Sequence, residues 1–258
     1  MLDWSGKNVV IVGGFGEVGH QVSRMIAQKN INNLIILGRM ENNEVLKQLQ
    51  TEATGTKVTH IQVDLMERAS IEHAARQIAG LIKHIDVLIN AAGILSDEDI
   101  ERTIGVNLTG PIQTTLALMP LMDKTQSGHG GVVLNISSVF GLEPAAGLPV
   151  YAAAKHGVVG FTRSLADQRI HSKSGVAFIT VCPGLTATES MVHLREYVTL
   201  EQHSEEFIEA IEKTKKQAPH EVAAAVVKAI ELTKNGAIYL ASAGQLKEIH
   251  PTVHWQLN

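Results

Sequence analysis

Short apolar runs alternate along this chain with longer amphipathic ones, and that rhythm limits the fold more than any single residue does. Residues 8–12, 33–37, 57–63, 86–90, 132–136, 177–181 and 237–240 have the length and β-branched content of strands. Between them, residues 18–29, 43–52, 69–83, 100–122, 150–170 and 220–233 carry helical periodicity. Strands apolar throughout are buried on both faces, as parallel strands covered by helices are. The expected fold is α/β, a doubly wound, mostly parallel seven-stranded sheet with helices on both faces.

The chain's 258 residues suffice for one sizeable core, and no repeat, low-complexity stretch or Pro/Gly/Ser linker divides them. Residues 1–258 are therefore read as one α/β domain. The charged, irregular stretch 186–218 follows the sixth strand and is the expected substrate-binding flap, with 241–258 as a C-terminal tail. A net charge of −4 gives no electrostatic reason to expect nucleic acid or an anionic membrane. No apolar run approaches the roughly 18 residues that span a bilayer. The single cysteine, Cys182, lies in an apolar run and is read as a core residue of a reducing compartment. These features predict a soluble, cytoplasmic protein. No carboxylate cluster accompanies the twelve histidines, so packed or solvated rings, and no metal, are expected.

The first strand runs into Gly14-Phe15-Gly16-Glu17-Val18-Gly19, which opens the first helix. A glycine-rich turn there lets backbone amides approach a pyrophosphate resting on the helix N-terminus, as in Rossmann-type sheets. A tight turn with no ligand is the competing reading. The fifth strand ends in hydroxyls at Ser137 and Ser138, and Tyr151 and Lys155 stand four apart on the helix that follows. Those two share a helix face, so a fixed ammonium can favour the phenolate and make Tyr151 a general base. Alone, the pair could be a tyrosine packed on a lysine stem. Beside Ser138 at the carboxyl edge of a sheet, it describes a hydride-transfer site.

With Asp64-Leu65, Asn90-Ala91-Ala92-Gly93, Val106-Asn107 and Pro183-Gly184-Leu185-Thr186-Ala187-Thr188 added to these motifs, the chain resembles the short-chain dehydrogenase/reductase family. Over nearly its whole length it is similar to the insect alcohol dehydrogenase branch, including that branch's fat-body and development-specific relatives. The shortened glycine turn, Glu101-Arg102-Thr103, residues 228–237 and His254-Trp255 carry that closer likeness. The resemblance implies an NAD(P)-dependent oxidoreductase that moves a hydride between the cofactor and a secondary alcohol or lipophilic carbonyl. Tyr151 would be the acid/base, Ser138 would bind the reacting oxygen, and Lys155 would bind the nicotinamide ribose. Asn107 would complete a tetrad through a water relayed to Lys155. Gly14, Gly16, Gly19, Asp64, Asn90, Gly93, Pro183, Gly184, Thr186 and Thr188 would hold the dinucleotide. A homodimer is also implied, with the His254-Trp255 tail near the active site. Structural roles stand beside these: a buried polar tie for Asn107, a turn carboxylate for Asp64, helix caps for Thr186 and Thr188.

Two departures from the branch pattern bear on the cofactor. The second strand ends Leu37-Gly38-Arg39, without the acidic residue that selects NAD(H), so Arg39 tilts the expectation toward NADP(H). Glu17 stands where the branch often has glycine, and its carboxylate would repel phosphates unless it faces solvent or pairs with a base such as Arg39. Impaired cofactor binding would suit a catalytically silent fat-body or developmental relative, or a dinucleotide-sensing module. The complete Asn-Ser-Tyr-Lys set favours an enzyme. Leu95, Leu142, Ala146, Leu148, Met191 and Val192 are candidates for an apolar substrate pocket or for core packing.

Overall fold

Eight strands form one sheet in this computed structural model, which describes residues 1–53 and 55–252. In chain order the elements are β1 (Asn8–Val12), α1 (Glu17–Ala27), β2 (Asn33–Gly38), α2 (Asn43–Glu52), β3 (Lys57–Gln62), α3 (Arg68–Leu81) and β4 (Val87–Asn90). There follow α4 (Ile100–Ile104), α5 (Gly110–Leu118), β5 (Gly131–Ile136), α6 (Pro149–Leu165), α7 (Gln168–Ser174) and β6 (Val176–Pro183). The chain continues through α8 (Glu189–Val192), α9 (Glu201–Lys213), α10 (Pro219–Leu232), β7 (Ile238–Ser242) and β8 (Gln245–Ile249). The strand order is β3-β2-β1-β4-β5-β6-β7-β8. Only β8 runs antiparallel, against β7. This is the Rossmann-type doubly wound arrangement.

Alternate residues of each central strand face opposite layers, so every position on β1 is buried. Val9 and Ile11 pack with Val22 and Ile26 of α1 and Val222, Val226 and Ile230 of α10. Val10 and Val12 pack with Ile71 and Ile78 of α3 and Leu118 of α5. Each such fully buried aliphatic side chain contributes roughly 1.5–3 kcal/mol, which makes the strand ends rigid supports for a site.

The eighth strand is a correction to the seven expected. Gln245-Leu246-Lys247-Glu248-Ile249 lacks an apolar run because it lies at the sheet edge. Ala243 and Gly244, both at positive φ, form the two-residue turn that folds it onto β7. The helix expected at 100–122 is interrupted by a π-helical turn, Gly105–Thr109. Pro111 has no N–H for the Asn107 carbonyl four residues back, and the ladder widens there. The helix expected at 150–170 also divides, because Asp167 turns its carboxylate to the Arg169 amide and caps a new helix, α7. His254 and Trp255 lie outside the described residues.

Candidate active site

β1 lies between β2 and β4, so the chain reverses its direction of winding there. A crevice opens beyond the carboxyl ends of strands at such a switch point. The cleft encloses about 400 Å³ and is lined from one end to the other by Arg39, Asp64, the glycine turn, Gly93, Lys155, Tyr151, Ser138 and Thr186. The glycines leave it no side chains to clear. A Cβ on Gly13, at φ +78°, would sit 2.7 Å from the Ala92 backbone, and one on Gly19 would collide with the Gly13 carbonyl. At Gly13, Gly16 and Gly19 the floor is backbone, a cradle that fits a dinucleotide pyrophosphate, with Glu17 and Val18 beside it.

At the other end of the cleft β5 and α6 deliver Ser138, Tyr151 and Lys155. Ser138 is buried, and its Oγ accepts the Phe140 amide at 3.1 Å, which leaves the hydroxyl proton to donate into the cleft. Lys155 is buried too, its Nζ donating to the Ile136 carbonyl at 3.3 Å and lying 5.6 Å from the Tyr151 ring centre. Ser137 Oγ bonds the Lys155 carbonyl at 2.9 Å and pins that turn of α6 to the end of β5. Burial pushes the Tyr151 phenol up to about 12, opposed by its hydrogen bond with Ser138. Burial also pulls the Lys155 ammonium down to about 8. The lysine was expected to lower the tyrosine; no lowering by Lys155 is resolved, burial dominates, and the phenol keeps its proton at neutral pH.

Asn107 sits in the π turn, wholly buried. Its amide donates to the carbonyls of Ile94 (2.9 Å) and Thr103 (3.0 Å), and its Oδ1 accepts the Ile94 amide at 3.1 Å. The side chain ties the segment after β4 to the π turn. A missing Cβ on Gly93 keeps open the space between Asn107 Oδ1 and Lys155 Nζ, which it would meet at 3.0 and 3.4 Å.

The profile of the short chain dehydrogenase family matches residues 7–199. The chain is 51% identical over 257 residues to Fat body protein 2 of Drosophila melanogaster, covering all of both chains. It is 40% identical over 252 residues to Alcohol dehydrogenase 2 of Ceratitis cosyra, covering 98% of this chain and 97% of that one. The chain belongs to the short-chain dehydrogenase/reductase family. Among solved structures, a short-chain type dehydrogenase/reductase from Mycobacterium ulcerans superposes with a TM-score of 0.77 at 17% identity, over 94% of this chain and 90% of that chain. Membership makes the protein an oxidoreductase that uses a nicotinamide dinucleotide and a small-molecule substrate.

The family's motif positions divide between the cleft and its support. Gly16, Gly19, Arg39, Asp64, Gly93, Pro183, Gly184, Thr186 and Thr188 line the cleft. Asp64 also turns Oδ1 to the Met66 amide at 2.9 Å, and Thr186 Oγ1 donates to the Gly184 carbonyl at 2.9 Å. Thr188 occupies the N-cap position of α8 without capping it through its side chain. Gly14 lies behind the turn, where a Cβ would meet Ser23 and Ile36. Asn90 is also outside the lining: its amide bonds Thr115 and Asn135, tying β4 to α5 and β5. Gly13 lines the cleft instead, at a positive φ that the spacing of the later glycines does not signal.

Glu17 does not pair with Arg39. Its carboxylate accepts the Glu189 amide, at 3.0 Å from one oxygen and 3.2 Å from the other, and so bridges the glycine turn to the start of α8. Arg39 lines the cleft beside Gly38, whose carbonyl is 3.1 Å from His60 Nε2. Of the apolar candidates, Leu95, Leu148 and Met191 line the cleft, joined by Phe140 and Leu185. Leu142 packs instead against Val159, Cys182 and Ile238, while Ala146 and Val192 are exposed. Phe140 and Leu185 have no periodicity of their own that would mark them as pocket residues, Leu185 entering only as part of the 183–188 motif.

Among the described residues no group of three or more His, Cys, Asp or Glu could hold a metal ion. His250 and His254 stand four apart, a spacing metals use, and the second lies outside the described residues. No helix among the described residues is long and apolar enough to cross a membrane.

Proposed function

We propose that this protein interconverts a secondary alcohol and its ketone, or a similarly lipophilic carbonyl, by a Ser138-Tyr151-Lys155 mechanism, with NADP(H) favoured over NAD(H). The observation that carries the reading is the Ser138–Tyr151 hydroxyl pair beside buried Lys155, on one wall of a glycine-floored cleft. The bound dinucleotide would supply the hydride donor or acceptor at its nicotinamide ring. Gly13, Gly16 and Gly19 would hold its pyrophosphate, Asp64 and Gly93 its adenosine side, and Pro183, Gly184, Thr186 and Thr188 its nicotinamide end. Arg39, with no acidic neighbour at the end of β2, would receive a 2′-phosphate.

The phenol, held above neutral pH, starts as an acid and suits protonation of a carbonyl oxygen at Tyr151 Oη. Ser138 would donate its hydroxyl proton to the same oxygen while one of its two lone pairs accepts the Phe140 amide. Lys155 remains cationic at neutral pH and stabilises the phenolate left behind. The proton would be restored through a water held at the main-chain carbonyl of Asn107, which Pro111 cannot satisfy. Leu95, Phe140, Leu148, Leu185 and Met191 give the substrate an apolar wall.

In this reading residues 1–258 form one domain and segment 186–218 is the substrate flap, packed through Leu194, Val198, Ile208 and Ile211 on Ala145 and Leu148. Ile100 and Leu116, exposed on α4 and α5, suit the face through which a cytoplasmic homodimer would form. The test is a titration with NADPH and NADH by nicotinamide fluorescence, followed by turnover of a ketone panel. The expected result is tighter NADPH binding and turnover that Tyr151→Phe abolishes without weakening cofactor binding. Binding of neither dinucleotide, or activity undiminished in Tyr151→Phe, overturns the reading.

A further inference from the structure

The catalytic helix has an unusual start. α6 begins at Pro149, which has no N–H, and Leu148 before it offers no capping side chain. The amides of Val150 and Tyr151 would be orphaned there, as the first amides of a helix are. Both are taken by Asp97, a residue of the loop after β4. Its Oδ1 accepts the Tyr151 amide at 2.5 Å and its Oδ2 the Val150 amide at 3.2 Å. The next amide, Ala152, returns to the Leu148 carbonyl at 2.9 Å, so the accounting closes. Asp97 is fully buried, and a carboxylate there is tolerable because it meets the helix N-terminus and several donors at once.

The same carboxylate reaches segment 186–218. Thr199 Oγ1 donates to Asp97 Oδ2 at 2.9 Å, and the Asp97 amide donates to the Tyr197 carbonyl at 3.0 Å. We propose that Asp97 is a positioning residue that couples the substrate flap to the acid/base, so that seating Thr199 and fixing the first turn of α6, with Tyr151 in it, are one event. The proposal rests on the function assigned above. Asp97 touches none of the reacting atoms; it acts through the backbone of Tyr151. A displacement of that backbone carries the phenol with it, and misplacement by about 1 Å can cost on the order of 100-fold in rate.

The test uses the full chain with Asp97→Asn, Thr199→Val and the double variant, read by steady-state kinetics, NADPH binding and amide hydrogen exchange. Asp97→Asn is expected to lower kcat roughly 10- to 100-fold while the NADPH Kd stays within about twofold. Thr199→Val, which removes only the hydroxyl, is expected to raise the substrate KM roughly fivefold and to speed exchange of the Val150 and Tyr151 amides. The double variant should be no worse than Asp97→Asn alone. An Asp97→Asn protein with wild-type kcat, double-variant effects that multiply, or Val150 and Tyr151 amides indifferent to Thr199→Val each overturn the proposal. If Asp97→Asn does not fold, the exchange and KM of Thr199→Val decide. A wild-type protein that turns over no ketone or alcohol overturns the assigned function, and the exchange rates still decide the coupling.

Discussion

Glu17 reaches across the mouth of the cleft to the amide of Glu189, its two oxygens 3.0 and 3.2 Å away. The contact places a carboxylate on a donor at the start of α8, between the glycine turn and Thr188. A dinucleotide pyrophosphate lying on that turn would share the space with a like charge. Glu17→Gly is therefore expected to tighten NADPH binding roughly fivefold, about the 1 kcal/mol of one net hydrogen bond, with Glu17→Gln falling between. Fluorescence titration checks it; unchanged binding in Glu17→Gly would show that the carboxylate does not oppose the cofactor, and weaker binding that the bridge supports it.

Lys155 and Tyr151 give the stability curve opposite slopes. Lys155 falls from an ordinary 10.5 to about 8, so between those values the unfolded chain holds the extra proton and stability rises with pH. Tyr151 climbs from 10 to about 12, so over that range the folded state holds the proton and stability falls. Lys155→Met should accordingly be more stable than wild type at pH 7, with the gap narrowing as pH climbs from about 8 to 10. Denaturant unfolding at several pH values measures it. A gap independent of pH would mean that the buried lysine does not lose its proton there.

The strands of the central sheet were legible because burial on both faces writes a continuous apolar run, as in Val9 to Val12 and Val132 to Ile136. β8 was not, since its Leu246 and Ile249 alternate with polar residues at an edge. The meeting of Ser138, Tyr151 and Lys155 at one cleft was legible from residue types and the four-residue spacing of Tyr151 and Lys155. Their protonation was not, because it depends on how much water the fold removes, and no sequence pattern encodes that. Asp97 went unread for a related reason: one aspartate among Ser96, Glu98 and Asp99 looks like solvated loop until the fold carries Tyr151 and Thr199 to it.

Cofactor choice turns on Gly38 and Arg39. A Cβ on Gly38 would meet nothing nearer than 3.8 Å, so an aspartate side chain can be accommodated without moving the strand. Gly38→Asp is expected to shift the ratio of NADH to NADPH affinity by roughly tenfold or more toward NADH, about 1.4 kcal/mol. Arg39→Ala should weaken NADPH and leave NADH nearly untouched. Comparative titrations decide, and an Arg39→Ala protein that loses both cofactors equally would remove Arg39 from 2′-phosphate recognition.

Gly93 tests the space between Asn107 and Lys155. A methyl there would stand 3.0 Å from Asn107 Oδ1 and 3.4 Å from Lys155 Nζ, too close for both to stay in place. The side chain of Asn107 is held by three hydrogen bonds, whereas Lys155 Nζ has one, to the Ile136 carbonyl at 3.3 Å. The lysine is therefore the group that yields, and it would leave the position from which it stabilises the Tyr151 phenolate. Gly93→Ala is expected to lower kcat on the order of tenfold while changing stability by no more than about 1–3 kcal/mol, the usual cost of mild overpacking. Steady-state kinetics beside thermal unfolding separate the two effects. Full activity in Gly93→Ala would mean that turnover does not depend on Lys155 holding this position.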